Sequence, residues 1–127
     1  MPPRKLNTPS APTPVGPYAH AVAASGELIF CAGQIPLDPA TGALVPGGIE
    51  EQVAQVLDNI GRLATDLGLQ WRDIVKATIF LVDLADFAIV NEQYAARVGD
   101  HRPARSTIQV AALPAGARVE IEVAFCR

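Results

Sequence analysis

Two short stretches near the C-terminus carry the side chains that could do chemistry. Arg105 alternates with small or apolar residues in the first stretch, and Glu120 does so in the second. Successive side chains of a strand point to opposite faces. If the two stretches pair as neighbours with their apolar residues in the core, Arg105 and Glu120 therefore share the other face. A guanidinium can bind a carboxylate at two points and a carboxylate can transfer a proton, so the pair indicates the start of a site. On spacing alone, a structural ion pair of Arg105 with Glu120 or Glu122 competes with that interpretation.

Seven predicted elements position this pair, in the order β-β-α-β-α-β-β. The clearest is a helix from Ile49 to Leu67, where apolar residues recur at steps of three and four. The run from Ile74 to Val82 is apolar enough for a central strand, and a second helix begins at Asp83 or Asp86 and continues to about Val98. The remaining strands are predicted at Ala19–Ala24, at Leu28–Ala32 and in the two C-terminal stretches. This order predicts an α+β fold, a mixed β-sheet with two helices packed on one face.

The second face of such a sheet is not covered by the helices. It must meet either water or another subunit. Polar residues such as Arg105 and Glu120 are interleaved there with small apolar ones, which favours a partly wet interface between subunits. This is a hypothesis from the pattern alone.

Length and charge restrict the classes of function. The chain has 127 residues and a formal charge of −3. The length suits one domain. The negative charge disfavours a nucleic-acid partner, since domains that bind nucleic acid usually present a basic face. Most of the prolines lie within residues 1–17, so we expect a flexible, Pro-rich tail over residues 1–14 and a single domain over residues 15–127. No stretch has the pattern of a signal peptide or a membrane span, so we expect a cytoplasmic protein with no membrane partner.

Cysteine and histidine usage gives no sign of a metal site. Cys31 and Cys126 are the only cysteines and His20 and His101 the only histidines, and none has a ligand spacing around it. The sequence also lacks a glycine-rich phosphate loop and a nucleophile elbow. We therefore expect no metal, no organic cofactor and two reduced cysteines.

Several segments together resemble the RidA/YjgF family of small enamine/imine deaminases, which is also described as an endoribonuclease or translation-inhibitor family. The resemblance extends from about Val15 to the C-terminus, essentially the whole domain. The segments that carry it are Gly16-Pro17-Tyr18, Ala32-Gly33-Gln34-Ile35-Pro36, Asp83-Leu84 with Asp86-Phe87, Asn91 with Tyr94, Pro103-Ala104-Arg105-Ser106, and Leu113-Pro114 followed by Val119-Glu120-Ile121-Glu122.

The resemblance implies a chorismate-mutase-like fold assembled as a homotrimer, with ligand clefts at the subunit interfaces. It implies that Arg105 binds the carboxylate of a 2-imino acid and that Glu120 positions or activates the hydrolytic water. It also implies that Tyr18 is a third active-site residue, whose side chain forms part of the pocket wall. The positions that the resemblance implies for substrate binding are Gly33, Phe87, Asn91 and Thr107.

The sequence departs from the family pattern at three places. Thr107 stands where cysteine is common, which removes a thiol nucleophile and leaves the chemistry to Arg105, Glu120 and water. Ala32 stands where a hydroxyl residue often precedes the glycine. Ala19-His20 replaces a frequent Ser-Gln pair. The last two departures bear on substrate preference.

The resemblance therefore implies a hydrolytic deaminase that converts reactive 2-enamino or 2-imino acids to 2-oxo acids and ammonia. Examples of such substrates are 2-aminoacrylate and 2-iminopropanoate. Two alternatives are a non-catalytic trimer that binds small carboxylates or 2-oxo acids and regulates a partner, and a deaminase of a larger enamine in a catabolic pathway. An RNA-cleaving protein is a further alternative, disfavoured by the acidic balance and by the lack of a histidine pair for acid/base cleavage.

Overall fold

The fold is an α+β arrangement of two helices and a mixed sheet, as the sequence predicts. The computed structural model describes residues 2–127. Its helices are α1 (Ile49–Asp66) and α2 (Phe87–Val98). Its strands are β1 (Arg4–Leu6), β2 (Ala21–Ala23), β3 (Leu28–Phe30), β4 (Ile74–Leu81), β5 (Ala104–Gln109) and β6 (Val119–Cys126). Neither helix within these residues is long and apolar enough to cross a bilayer.

Helix α1 forms where the sequence predicts it, and its two ends have local causes. The Gly48 N–H donates to Glu51 Oε2 at 3.0 Å, which satisfies one backbone donor at the helix start. Gly68 follows the last turn with a φ of +72°, a conformation that glycine adopts without steric cost. The buried face of α1 joins one core with α2 and the sheet through Val53, Val56, Leu57 and Ile60.

The main sheet has the strand order β3-β6-β4-β5, so β4 separates the two C-terminal strands. Strand β5 pairs in parallel with β4, whereas β6 pairs antiparallel with β4 and β3. The prediction that the two C-terminal strands are neighbours is therefore wrong. The physical reason is that the chain passes from β4 through α2 to β5, and a crossover of this kind joins parallel strands of one sheet.

The register places Arg105 and Glu120 on opposite faces of the sheet. Arg105 pairs with Ala77, which is fully buried in the core, whereas Glu120 pairs with Phe80. Paired residues point to the same side, and Ala77 and Phe80 are three positions apart on one strand, so they point to opposite sides. The predicted shared face is therefore wrong. That prediction required Ile108 to lie in the core, but Ile108 is 44% exposed on the open face.

A short strand lies within the segment for which the sequence predicts a flexible tail. Strand β1 pairs antiparallel with β2 in a separate two-stranded sheet. Lys5 Nζ also donates to the Asp100 carbonyl at 2.8 Å. The strand is only three residues long and all three are exposed, so it has no apolar alternation that the sequence could reveal.

The start of α2 is tied to β6 and α1 by a partly buried polar cluster. Asp86, which is 7% exposed, immediately precedes α2, and both of its carboxylate oxygens accept from Arg118 Nη2 at 2.9 Å. Arg118 immediately precedes β6, and its N–H donates to the buried Gln52 Oε1 of α1 at 2.8 Å. These contacts set the position of α2 over the sheet.

Replacing Asp86 with alanine should lower the free energy of unfolding by about 1–3 kcal/mol, because Arg118 loses its ion-pair partner. The loss is limited because the Arg118 side chain is 44% exposed, so water can still hydrate its charge. Urea denaturation measures the change. Asp58→Ala is the matched control, since Asp58 pairs with Arg97 at 2.6 Å with its side chain 50% exposed. We expect less than about 1 kcal/mol from that exposed pair. Equal losses in the two variants would contradict a structural role for the Asp86 cluster.

Candidate active site

Arg105 lies among three aromatic rings between β5 and α2. Its guanidinium carbon is 5.7 Å from the ring centroids of Tyr18 and Phe87 and 5.3 Å from that of Tyr94. Phe87 and Tyr94 belong to α2, whereas Tyr18 precedes a residue that pairs with the first residue of β5. The faces of aromatic rings attract cations, so the three rings stabilise the guanidinium in its charged form.

Asn91 sets the orientation of the guanidinium. Arg105 Nη1 donates to Asn91 Oδ1 at 2.7 Å, and within residues 2–127 this is the one hydrogen bond of the Arg105 side chain. The ion pairs within the same residues do not include Arg105. The Nε and Nη2 groups therefore remain to bind the two oxygens of a carboxylate.

Partial burial of the Arg105 guanidinium makes its site favourable for an anion. Desolvation lowers the pKa of the Arg105 guanidinium, while the charge interactions with Tyr94 and Tyr18 act in the opposite direction. Burial also raises the pKa of the Tyr94 hydroxyl, against a lowering effect of Arg105, so Tyr94 stays neutral. A cation that has lost part of its water and faces only neutral groups favours an anionic ligand, because the ligand supplies the missing counter-charge.

Two buried hydroxyl groups on the Arg105 side of the sheet have no hydrogen-bond partner within residues 2–127. They are Tyr94 Oη and Thr107 Oγ1. Thr107 follows Arg105 by two positions on β5, so the two side chains share a face. A buried hydroxyl without a partner costs about 1–3 kcal/mol, which makes each group a candidate donor to a bound molecule.

Glu120 lies beside Gly33 on the open side of the sheet. Gln34 and Ile121 exchange two backbone hydrogen bonds, at 2.8 and 3.0 Å, and this pairing aligns Gly33 with the start of β6. A Cβ built on Gly33 would collide with Glu120 Oε2 and with the carboxylate carbon. The absence of a side chain at Gly33 therefore gives the Glu120 carboxylate its space.

The structure divides the predicted site residues into two groups. Five lie on the helix side of the sheet, and we call them the Arg105 group: Tyr18, Phe87, Asn91, Arg105 and Thr107. Gly33 and Glu120 lie on the open side, and we call them the Glu120 group. Within residues 2–127, the His, Cys, Asp and Glu side chains form no cluster of three or more that could hold a metal ion.

Two further residues border Arg105 and were not among the predicted site residues. Tyr94 carries part of the family resemblance, and its ring borders Arg105. Its spacing of three from Asn91 and seven from Phe87 puts all three residues on one helix face, and that spacing was the available signal. Gly16 is the second, since a Cβ there would lie 3.3 Å from Arg105 Nη2. That proximity is set by tertiary structure and has no local sequence signal.

Known proteins resemble this chain over nearly its whole length. The family model described as endoribonuclease L-PSP matches residues 8–125. The chain belongs to this family, the RidA/YjgF family. A Capra hircus protein named 2-iminobutanoate/2-iminopropanoate deaminase is 45% identical over 119 residues, which are 94% of this chain and 86% of that protein. A RutC family protein of Pyrococcus horikoshii is 45% identical over 91% of this chain and 90% of its own.

Solved structures of the family have the same fold. RidA from the Antarctic bacterium Psychrobacter superposes with a TM-score of 0.76 at 38% identity, covering 98% of this chain and 99% of that one. The YjgF gene product of E. coli superposes with a TM-score of 0.74 at 40% identity and covers 98% of both chains. The mixed sheet with two helices is therefore the family fold.

Replacing Gly33 with alanine should displace the Glu120 carboxylate and leave the fold intact, because the colliding atoms belong to the end of a flexible side chain. We expect kcat for the reaction proposed below to fall by about tenfold to hundredfold, since a misplaced proton-transfer group loses much of its contribution. Gly61→Ala is the control, because a Cβ there meets Trp71 at an ordinary 3.6 Å. Unchanged kcat in Gly33→Ala would contradict the role of this pairing.

Replacing Thr107 with valine separates stability from ligand binding. The change removes a buried hydroxyl without a partner, so the free energy of unfolding should rise by about 1 kcal/mol. If the hydroxyl donates to the ligand, KM should rise at the same time. Thermal unfolding and steady-state kinetics measure the two effects, and a less stable Thr107→Val protein would show that the hydroxyl has a partner in the folded chain.

Proposed function

We propose that the protein is a homotrimeric hydrolase that converts 2-imino acids, such as 2-iminopropanoate, to 2-oxo acids and ammonia. The observation that carries this proposal is the Arg105 guanidinium, which is oriented by Asn91, surrounded by aromatic rings and left without an anionic partner in residues 2–127. Relatives at about 45% identity that carry the name 2-iminobutanoate/2-iminopropanoate deaminase support the same reaction class.

Arg105 binds the substrate carboxylate through Nε and Nη2. The planar fork of the guanidinium fixes both carboxylate oxygens, so the neighbouring imine carbon has a defined direction. The rings of Tyr18 and Phe87 exclude water from the charged contact, which strengthens it. Thr107 Oγ1 is placed on the same face to donate a hydrogen bond to the bound molecule.

The Glu120 carboxylate carries out the proton transfers of the reaction. The carboxylate accepts a proton from a water molecule as the water oxygen bonds to the imine carbon, and a carbinolamine results. Glu120 gives this proton to the nitrogen, which makes the carbinolamine neutral. The carboxylate then takes the proton of the new hydroxyl group and passes it to the same nitrogen, so the C–N bond breaks and ammonia leaves as the C=O bond forms. Overall, one substrate molecule and one water become the 2-oxo acid and ammonia, and Glu120 ends in the same protonation state in which it began.

Two copies of the chain are needed to bring the groups together. Arg105 and Glu120 lie on opposite faces of one sheet, so a single copy does not present both to one substrate. The open face carries large exposed apolar side chains, with Phe30 78%, Leu28 55% and Ile108 44% exposed, as expected of a face that packs against another copy. A cyclic trimer would repeat one such composite site at each of its interfaces.

The composite site can be tested by mixing two inactive variants. Arg105→Ala and Glu120→Gln should each lower kcat/KM for imine hydrolysis by at least about hundredfold. Trimers reassembled from equal amounts of the two should recover about one quarter of the wild-type activity, because a quarter of the interfaces combine two intact groups. Release of 2-oxo acid from imine generated by an L-amino-acid oxidase provides the assay.

The outcomes separate the candidate functions. No recovery on mixing, with both variants folded and exchanged between trimers, would contradict a site shared between copies. Wild-type protein that binds 2-oxo acids but does not accelerate imine hydrolysis would instead indicate the non-catalytic binder. Imines made from amino acids of increasing side-chain size then report whether a larger enamine is preferred.

Cleavage of RNA has no comparable support in this chain, although the family model carries an endoribonuclease description. The formal charge is −3. His20 and His101 both have ring nitrogens engaged by backbone groups, His20 with Thr8 and Pro12 and His101 with Ile74. Both ring nitrogens of His20 and one of His101 are therefore engaged, which leaves no pair of free histidines for acid/base cleavage.

A further inference from the structure

His20 fastens the segment that precedes it, residues 7–15, which we call the strap. The Thr8 N–H donates to His20 Nδ1 at 2.9 Å, and His20 Nε2 is hydrogen-bonded to the Pro12 carbonyl. The His20 N–H donates to Asn7 Oδ1 at 2.9 Å. One histidine thus holds three points of the strap, all before the residues that border Arg105.

These partners permit only one protonation state of the ring. Thr8 offers a donor, so Nδ1 must accept, and Pro12 offers a carbonyl, so Nε2 must carry the proton. The neutral ring with the proton on Nε2 satisfies both, whereas the imidazolium ion has two donors and no acceptor. Protonation of His20 therefore breaks the bond from Thr8.

The far end of the strap contacts the Arg105 group. The Val15 N–H donates to Tyr18 Oη at 3.2 Å, and the Tyr18 N–H donates to the Gly16 carbonyl at 2.8 Å. Gly16 in turn borders Arg105 Nη2. Only a few residues separate Pro12 from Gly16 and one of them is a proline, so the connection is short and stiff.

We propose that neutral His20 is a positioning residue, which holds the strap so that Gly16 and Tyr18 stay in place against Arg105. Without the His20 ring, the strap is released from its contacts at Thr8 and Pro12, and the ring of Tyr18 loses its fixed position. The structural part of this inference is independent of the reaction, whereas its effect on kinetics rests on the proposed function.

Amide exchange measured by NMR tests the fastening directly. After correction for intrinsic exchange, the Thr8 and Val15 amides of the wild-type protein should be at least about tenfold more protected at pH 8 than those of His20→Ala, which lacks the ring. His20→Gln should keep much of the protection, because its carboxamide also offers an acceptor and a donor. The Ile121 amide, bonded to the Gln34 carbonyl, is the internal control.

Each result decides a step of the inference. The nitrogen shifts of the His20 ring at pH 8 should report the tautomer with the proton on Nε2, and the opposite tautomer would overturn the assignment. Protection of Thr8 in His20→Ala equal to that of the wild type would overturn the fastening. Loss of protection at Thr8 with full protection at Val15 would overturn the positioning of Tyr18.

Kinetics test the consequence at the active site. KM of His20→Ala should rise several-fold at pH 8 while kcat changes less, and KM of His20→Gln should stay near the wild-type value. A KM of His20→Ala equal to that of the wild type, with the exchange results as expected, would show that the strap does not position the site. Absence of hydrolysis in the wild type and in every variant would refute the proposed function. The exchange experiment would still test whether His20 holds the strap.

Discussion

The parallel pairing of β5 with β4 determines where the polar side chains of the site lie. It turns Arg105 towards α2, where Phe87, Asn91 and Tyr94 meet it from one helix face. The antiparallel pairing of β6 on the other side of β4 turns Glu120 to the open face. The proposed site needs both groups and therefore requires two copies of the chain, and the exposed apolar side chains of the open face support that proposal.

The Arg105 group is preorganised for an anion before any ligand arrives. Buried charges in proteins are usually paired with an opposite charge, but this partly buried guanidinium has aromatic rings and a neutral amide as partners. The cost of removing its water is met when the structure folds, so the carboxylate of the proposed substrate would meet a cation that is already oriented. Asp86 and Arg118 contribute from a distance, because they set the position of the helix that carries Phe87 and Asn91.

Local sequence signals predicted much of the fold and the members of the site, but not their arrangement. The 3.6-residue periodicity located α1 to within a residue, and the apolar run located β4. The strand order depends on the crossover through α2 and on which face of β5 meets the helices, and neither is encoded by alternation within β5. Arg105 and Glu120 were therefore assigned correctly as strand residues and wrongly to one face. The contact of Gly33 with Glu120 follows from a pairing between distant segments and has no local signal.

A crystal structure of the protein with a bound 2-oxo acid tests the central claim most directly. The account predicts that the ligand carboxylate is held by Arg105 Nε and Nη2 of one copy, with the partner subunit's Glu120 within hydrogen-bond reach, about 3 Å, of the oxo carbon or of an ordered water beside it. A ligand bound to Arg105 with no glutamate of a second copy near it would contradict the shared site. A ligand bound away from Arg105 would contradict the assignment of the site itself.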